Sequence, residues 1–195
     1  MHRHFVLYKP YGYLSQFTGE KPKQKKLGEL YPFPEGTMAI GRLDQSSEGL
    51  LLLTTDGVES ARVREKAVEK EYLVQVDGQI TEEAIWKMKS GVDIRLDTGA
   101  WYRTLPIEAE ALDVPPELPV RARNVRSDRH GPSSWIRLVL TEGKFRQIRK
   151  MTAAVGYPTL RLVRIRIGSV VLNGLRPGEV REVEGFKPVQ HVLPD

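Results

Sequence analysis

The sequence predicts an α+β fold built on a largely antiparallel sheet with flanking helices. Three observations carry that reading. Short strand-like runs, at residues 3–8, 50–54, 72–76, 135–140 and 160–167, outnumber the helical patterns at 58–64, 81–90 and 144–155. The run Leu50-Leu51-Leu52-Leu53 is apolar throughout, as in a strand covered on both faces. Residues 160–167 alternate apolar side chains with arginines, as in a strand with one face turned to solvent or to a ligand.

Each element follows from local chemistry. The first strand is closed by Lys9-Pro10, because proline cannot continue the ladder. A lysine-rich loop follows at 21–26, then a turn-rich connector at 31–36 with two prolines and a glycine. Asp56-Gly57 ends the leucine strand and opens the short helix at 58–64. Thr81 is a helix cap, with Glu82 and Glu83 in the first turn, where carboxylates suit the helix dipole, and Gly91 as terminator. Residues 113–134 are rich in proline and arginine and lack periodicity, which predicts a long basic loop. In the helix at 144–155, Ile148, Met151 and Val155 form an apolar face, with Arg146, Arg149 and Lys150 on a neighbouring one. No internal repeat or low-complexity tract interrupts the pattern. The 195 residues suffice for a single domain, 1–195, with room for two lobes around a central cleft.

Composition narrows the function. Hydrophobic residues make up 40%, ordinary for a soluble protein, and no apolar run is long enough to span a membrane. The strand pattern starts at residue 3, so no signal peptide is expected, and the chain is read as cytoplasmic. With no cysteine, disulfides and thiolate metal sites are excluded. The net charge of +5 is unevenly spread. Residues 27–120 carry nine basic and eighteen acidic side chains, whereas residues 121–166 carry twelve basic and two acidic. That asymmetry suits a polyanion approached from one side better than a uniformly solvated surface.

Three sets of residues carry chemistry. The segment Gly143-Lys144-Phe145-Arg146-Gln147-Ile148-Arg149-Lys150 joins cations to a helix start, a fit for phosphates. With Arg121, Arg123 and Arg126 in the preceding loop and Arg161 and Arg164 in the following strand, it predicts a nucleic-acid surface. Tyr72 lies in a strand, where a tyrosine is by default a core residue; beside a nucleic-acid cleft it stacks on a base instead. Asp44, in Gly41-Arg42-Leu43-Asp44, sits in a charged loop between apolar strands. By type a loop aspartate is a turn or cap residue; kept ionised by Arg42 or Arg149, it is instead a nucleophile or half of a structural ion pair. The chain has no phosphate-binding glycine loop, nucleophile elbow or zinc-binding helix motif, so no metal or cofactor is expected.

The stretch Gly41-Arg42-Leu43-Asp44 through Glu48-Gly49-Leu50-Leu51-Leu52-Leu53-Thr54-Thr55-Asp56-Gly57 resembles the signature of the RsuA-type pseudouridine synthases. Lys70-Glu71-Tyr72-Leu73-Val74-Gln75-Val76-Asp77-Gly78 resembles that family's tyrosine motif, and residues 142–151 resemble its third motif, in the family's order. The opening Lys9-Pro10-Tyr11 and residues 156–162 match as well. The start of the chain, and its lack of room for the small RNA-binding domain that many members carry, resemble most the branch of large-subunit ribosomal RNA pseudouridine synthase E.

The resemblance implies a pseudouridine synthase catalytic fold and a cofactor-free isomerisation of one uridine in ribosomal RNA, 23S RNA above all. It implies that Asp44 promotes cleavage of the glycosidic bond. Tyr72 stacks on the flipped uracil and helps remove its C5 proton. Arg149 pairs with the aspartate, and Arg42 enters the space the base has left. Lys144, Arg146, Lys150 and the loop and strand arginines bind RNA. A monomer is expected, with ribosomal RNA or an assembling large subunit as partner and no membrane. The alternatives are a non-catalytic RNA-binding or assembly protein and a small-subunit enzyme.

Overall fold

The computed structural model describes residues 1–65, 68–125 and 130–186. The chain divides into two compact units. The first comprises Met1–Lys70 and the segment from Val163 onward; the second is Glu71–Leu162.

The first unit is organised around β3, Glu48–Thr54, in which every residue is buried. β1, His4–Lys9, pairs with it antiparallel along its full length, from His4 opposite Thr54 to Lys9 opposite Gly49. β11, Val180–Val183, closes the far edge of β1. The other edge of β3 changes partner partway along. Near its start, Glu48 and Gly49 pair parallel with Val163 and Arg164 of β9, Thr159–Ile167. Near its end, Leu52 to Thr54 pair antiparallel with β2, Met38–Ile40. The short β10, Val170–Val171, folds back on β9.

Alternation splits the side chains of β1 and β3 between two faces. Phe5, Leu7, Leu51 and Leu53 form one cluster with Leu27, covered by Phe17, Leu30, Tyr31 and Phe33. The rings of Phe5 and Phe33 meet edge to face at 5.3 Å, a favoured aromatic geometry. The proline-rich connector is therefore a lid over the core. α1, Gly57–Val63, follows β3 and is capped by the Asp56 carboxylate, which accepts from the Val58 N–H at 2.9 Å.

The second unit carries strands in the order β4, β8, β7: Lys70–Asp77, Ser133–Leu140 and Glu108–Leu112. α2, Glu82–Ser90, is capped by Thr81 as its sequence predicts and ends at Gly91. A separate two-stranded ribbon, β5 (Asp93–Arg95) and β6 (Trp101–Arg103), precedes β7. α3, Gln147–Ala154, buries Gln147, Ile148, Met151 and Thr152.

Among the described residues, the mixed, largely antiparallel sheet with three α-helices matches the predicted class. β5, β6, β7, β10 and β11 were not foreseen. Three of them have at most three residues, and β7 reads Glu-Ala-Glu-Ala-Leu, a composition of helix formers that sheet pairing overrides. The helix predicted at 144–155 begins only at Gln147, because Arg146 takes a left-handed conformation with φ of 51°. The predicted loop gives up residues 133 and 134 to β8; Arg126, expected to bind RNA, lies outside the described residues. Among the described residues no helix is long and apolar enough to cross a membrane.

Candidate active site and nucleic-acid interface

Asp44 belongs to the loop between β2 and β3, and its position is set by backbone hydrogen bonds. Leu43, its neighbour, is held from both sides by one hydroxyl. The Leu43 N–H donates to Ser15 Oγ at 3.0 Å, and Ser15 Oγ donates to the Leu43 carbonyl at 2.7 Å. Gln45 is tied to Gly12 twice, through the Gly12 N–H to the Gln45 carbonyl at 2.8 Å and through Gln45 Nε2 to the Gly12 carbonyl at 3.0 Å. The Asp44 carbonyl accepts from the Ser47 N–H at 3.0 Å, closing a tight turn. The residues on either side of Asp44 are thus fixed to the segment after β1, and Asp44 itself is half-buried. Arg42 is exposed.

Arg164 ties the start of this loop to β3. Its side chain is 2% exposed. Nε donates to the Leu50 carbonyl at 2.8 Å and Nη2 to the Gly41 carbonyl at 3.0 Å. Leu50 stands where β3 passes from one partner strand to the other, so the guanidinium supplies a donor at the changeover. The expectation that Arg161 and Arg164 turn toward solvent or ligand is therefore corrected. Arg161 is 7% exposed and its Nη2 donates to the Pro119 carbonyl at 2.8 Å, which ties the proline-rich loop to β9. Both guanidinium groups are engaged inside the protein, where they donate to the buried Leu50 carbonyl and to the half-buried Gly41 and Pro119 carbonyls.

Lys9 was not foreseen as part of this arrangement. It is fully buried, and Nζ donates to the carbonyls of Pro10 at 3.0 Å and Tyr13 at 2.7 Å. Burial pushes its amine down to about 7, against the pull of the nearby Glu48 and Asp44 carboxylates, and the Arg164 charge lowers it further. Lys70 is likewise lowered, to about 8, by burial and by Arg164. Asp44 thus lies in the field of a buried lysine as well as beside an exposed arginine. In the sequence Lys9 figured only as the close of the first strand and in the Lys9-Pro10-Tyr11 match; its burial follows from its place at the end of the buried strand β1.

In the second unit, Tyr72 is buried on the same face of β4 as Val74 and Val76. Arg149 is half-buried on α3. Asp44 therefore comes from the first unit, and Tyr72 and Arg149 from the second. The turn before α3 is held by Glu142. One of its carboxylate oxygens accepts from the Tyr102 hydroxyl; the other accepts from the Leu105 N–H at 2.9 Å and from Gln147 Nε2 at 2.7 Å. This bond to Glu142 raises the Tyr102 phenol above its usual range. The Gln147 amide oxygen takes up the Lys144 N–H at 3.0 Å.

On this frame Lys144 and Arg146 are exposed. The Lys144 ammonium lies 4.7 Å from the centre of the Tyr102 ring. Lys150 is half-buried and pairs with Asp97 at 3.0 Å. Because Arg146 precedes the helix, it does not share a helical face with Arg149 and Lys150 as its spacing suggests. Arg123 is exposed, and Arg121 donates to the carbonyls of Arg123 at 2.6 Å and Asn124 at 3.1 Å, so the described part of the basic loop is stiffened by its own arginine.

Comparison with known proteins is consistent across three kinds of relative. The RNA pseudouridylate synthase family profile matches residues 3–154, a span that includes Asp44, Tyr72 and Arg149. A ribosomal large subunit pseudouridine synthase E of Xanthomonas axonopodis pv. citri is 42% identical over 88% of this chain and 89% of its own. One from Vibrio parahaemolyticus is 38% identical over 92% of this chain and 73% of its own. A crystal structure of a pseudouridylate synthase superposes with a TM-score of 0.75 at 28% identity, covering 94% of this chain and 70% of that one. The fold, the motif order and these matches agree, and the chain belongs to the RNA pseudouridylate synthase family.

Proposed function

We propose that this enzyme isomerises one uridine of large-subunit ribosomal RNA to pseudouridine, with Asp44 as the catalytic carboxylate. The observation that carries the reading is the Asp44 loop. Its neighbours Leu43 and Gln45 are each doubly hydrogen-bonded to the segment after β1, within a family whose relatives of 38 and 42% identity are named for the large ribosomal subunit.

The chemistry suits a fixed acid. The C1′–N1 bond breaks, the base turns, C1′ bonds to C5, the C5 proton leaves and N1 gains one, so atoms balance without a co-reactant. A stacked uridine hides these atoms, and extruding it costs a few kcal/mol. Lys144, Arg146, Lys150 and the arginines of the basic loop offset that cost through phosphate contacts. Tyr72 stacks on the extruded uracil and takes part in removing the C5 proton. Arg149 supports the ionised carboxylate, and Arg42 fills the space the base has left. The same reading places the enzyme in the cytoplasm as a monomer.

The test is incubation of purified protein with unmodified large-subunit and small-subunit ribosomal RNA, followed by carbodiimide-dependent primer extension. One new pseudouridine in the large-subunit RNA is expected, and Asp44→Ala abolishes it while RNA affinity stays within about threefold. A stop in the small-subunit RNA alone, or none with the wild type, overturns the reading. Conversion by Asp44→Ala removes the aspartate from the chemistry.

A further inference from the structure

The β5–β6 ribbon has an inner face that is anchored and an outer face that is not covered. In its register, Asp93 stands opposite Arg103, Ile94 opposite Tyr102, and Arg95 opposite Trp101. Alternation puts Ile94 and Tyr102 on one side and Asp93, Arg95, Trp101 and Arg103 on the other. The inner side is held: Ile94 is 2% exposed, and the Tyr102 hydroxyl donates to Glu142 beneath the Lys144 ammonium. The turn of the ribbon is held as well, where Lys150 grips Asp97 at 3.0 Å. A two-stranded ribbon is marginal alone, and these anchors keep this one in place.

The outer side presents an indole that is 73% exposed, with exposed arginines directly opposite and two residues along. Arg95 Nε donates to the Gly99 carbonyl at 3.2 Å, which lays its guanidinium along the ribbon. The acid on this face, Asp93, is paired with Arg103 at 3.3 Å. So exposed an indole adds little to the stability of the ribbon; what it offers is a flat π surface between cations.

We propose that this face is a stacking platform for an unpaired stretch of the RNA, with Trp101 against a base and Arg95 and Arg103 at the neighbouring phosphates. The proposal rests on the function proposed above and extends it to a second contact. Glu142 is bonded both to the ribbon, through Tyr102, and to Gln147 at the start of α3, so the platform and the turn that bears Lys144 and Arg146 share one anchor and are held at a fixed spacing along the RNA. Aromatic stacking accepts any base, because each has a π face, and arginine suits the flanking phosphates.

The experiment measures binding of the large-subunit RNA fragment on which the wild type forms pseudouridine, by fluorescence anisotropy across a range of salt. Trp101→Ala should weaken binding roughly 5- to 100-fold with an unchanged salt slope, because stacking releases no counterions. Trp101→Phe should recover most of the loss. Arg95→Ala with Arg103→Ala should flatten the slope by about 1 to 2. Circular dichroism checks the fold of each variant, and turnover at saturating RNA should be retained. Unchanged affinity in Trp101→Ala, or a loss of turnover without a loss of affinity, overturns the platform. A wild type that converts no ribosomal RNA overturns the underlying function instead.

Discussion

Arg164 donates to the Gly41 carbonyl at 3.0 Å while the same guanidinium donates to Leu50 at 2.8 Å, so one side chain ties the start of the loop that carries Asp44 to the strand that follows it. The geometry explains why an arginine from a charged, alternating strand lies inside the protein. It also separates two roles that sequence alone merges: Arg164 shapes the loop from within, and Arg42 stands on its exposed side.

Arg164→Met leaves the buried Leu50 carbonyl and the half-buried Gly41 carbonyl without this donor, at a cost of about 2–4 kcal/mol. The loosened loop should lower turnover roughly 10- to 100-fold, while RNA affinity changes little. Arg164→Lys, able to reach one carbonyl, should recover part of both. Urea unfolding and single-turnover assays measure the two effects. Weakened affinity with normal turnover at saturation would instead put Arg164 at the RNA.

Gly49→Ala tests how closely β3 approaches β9. Gly49 has φ of +103°, and a Cβ there would lie 2.2 Å from the Arg164 carbonyl oxygen, a clash with backbone that no side-chain movement relieves. The substitution should destabilise the protein by roughly 3 kcal/mol or more. Thermal unfolding reads it, and a melting temperature equal to wild type would mean that the strands separate freely.

Lys9 should make stability depend on pH. Its amine titrates near 7 when folded and near the ordinary 10.5 when unfolded. Between those values the unfolded chain holds a proton that the folded one lacks, so unfolding becomes harder as pH rises. Below about 7 both states are protonated and the cost of the buried charge is fully present. The stability of wild type relative to Lys9→Met should therefore rise by about 1.4 kcal/mol per pH unit within the window. Urea unfolding from about pH 6 to about pH 10 tests this; a constant difference would show that the amine does not titrate there.

Charge removal at Arg121, Arg123 and Arg126 should weaken RNA binding and reduce its salt slope by about 0.7–0.9 for each phosphate that the loop no longer neutralises. Arg121 and Arg123 are in a described stretch without strand or α-helix, stiffened by the bonds from Arg121 to the Arg123 and Asn124 carbonyls. Filter binding across salt concentrations gives the slope. An unchanged slope would remove this loop from the interface.

Much of this protein was legible in the residues themselves because the governing interactions are local. Four consecutive leucines fit a strand covered on both faces, and β3 is that strand. Asp56 and Thr81 cap helices because their side chains reach N–H groups two or three residues on. The Asp44, Tyr72 and Arg149 motifs were visible through their resemblance to a family's motifs, and they fall within the span that matches it. Tertiary structure decided what each charge does. The arginines of β9 look alike in sequence, yet Arg161 and Arg164 are buried while Arg166 is half-buried and pairs with Glu69 at 3.1 Å. Nothing local distinguishes them. What sorts them is where distant segments leave carbonyl groups in need of a donor, at Pro119, Gly41 and Leu50. A buried polar group must find a partner, and that partner is supplied by the fold rather than by the neighbouring sequence.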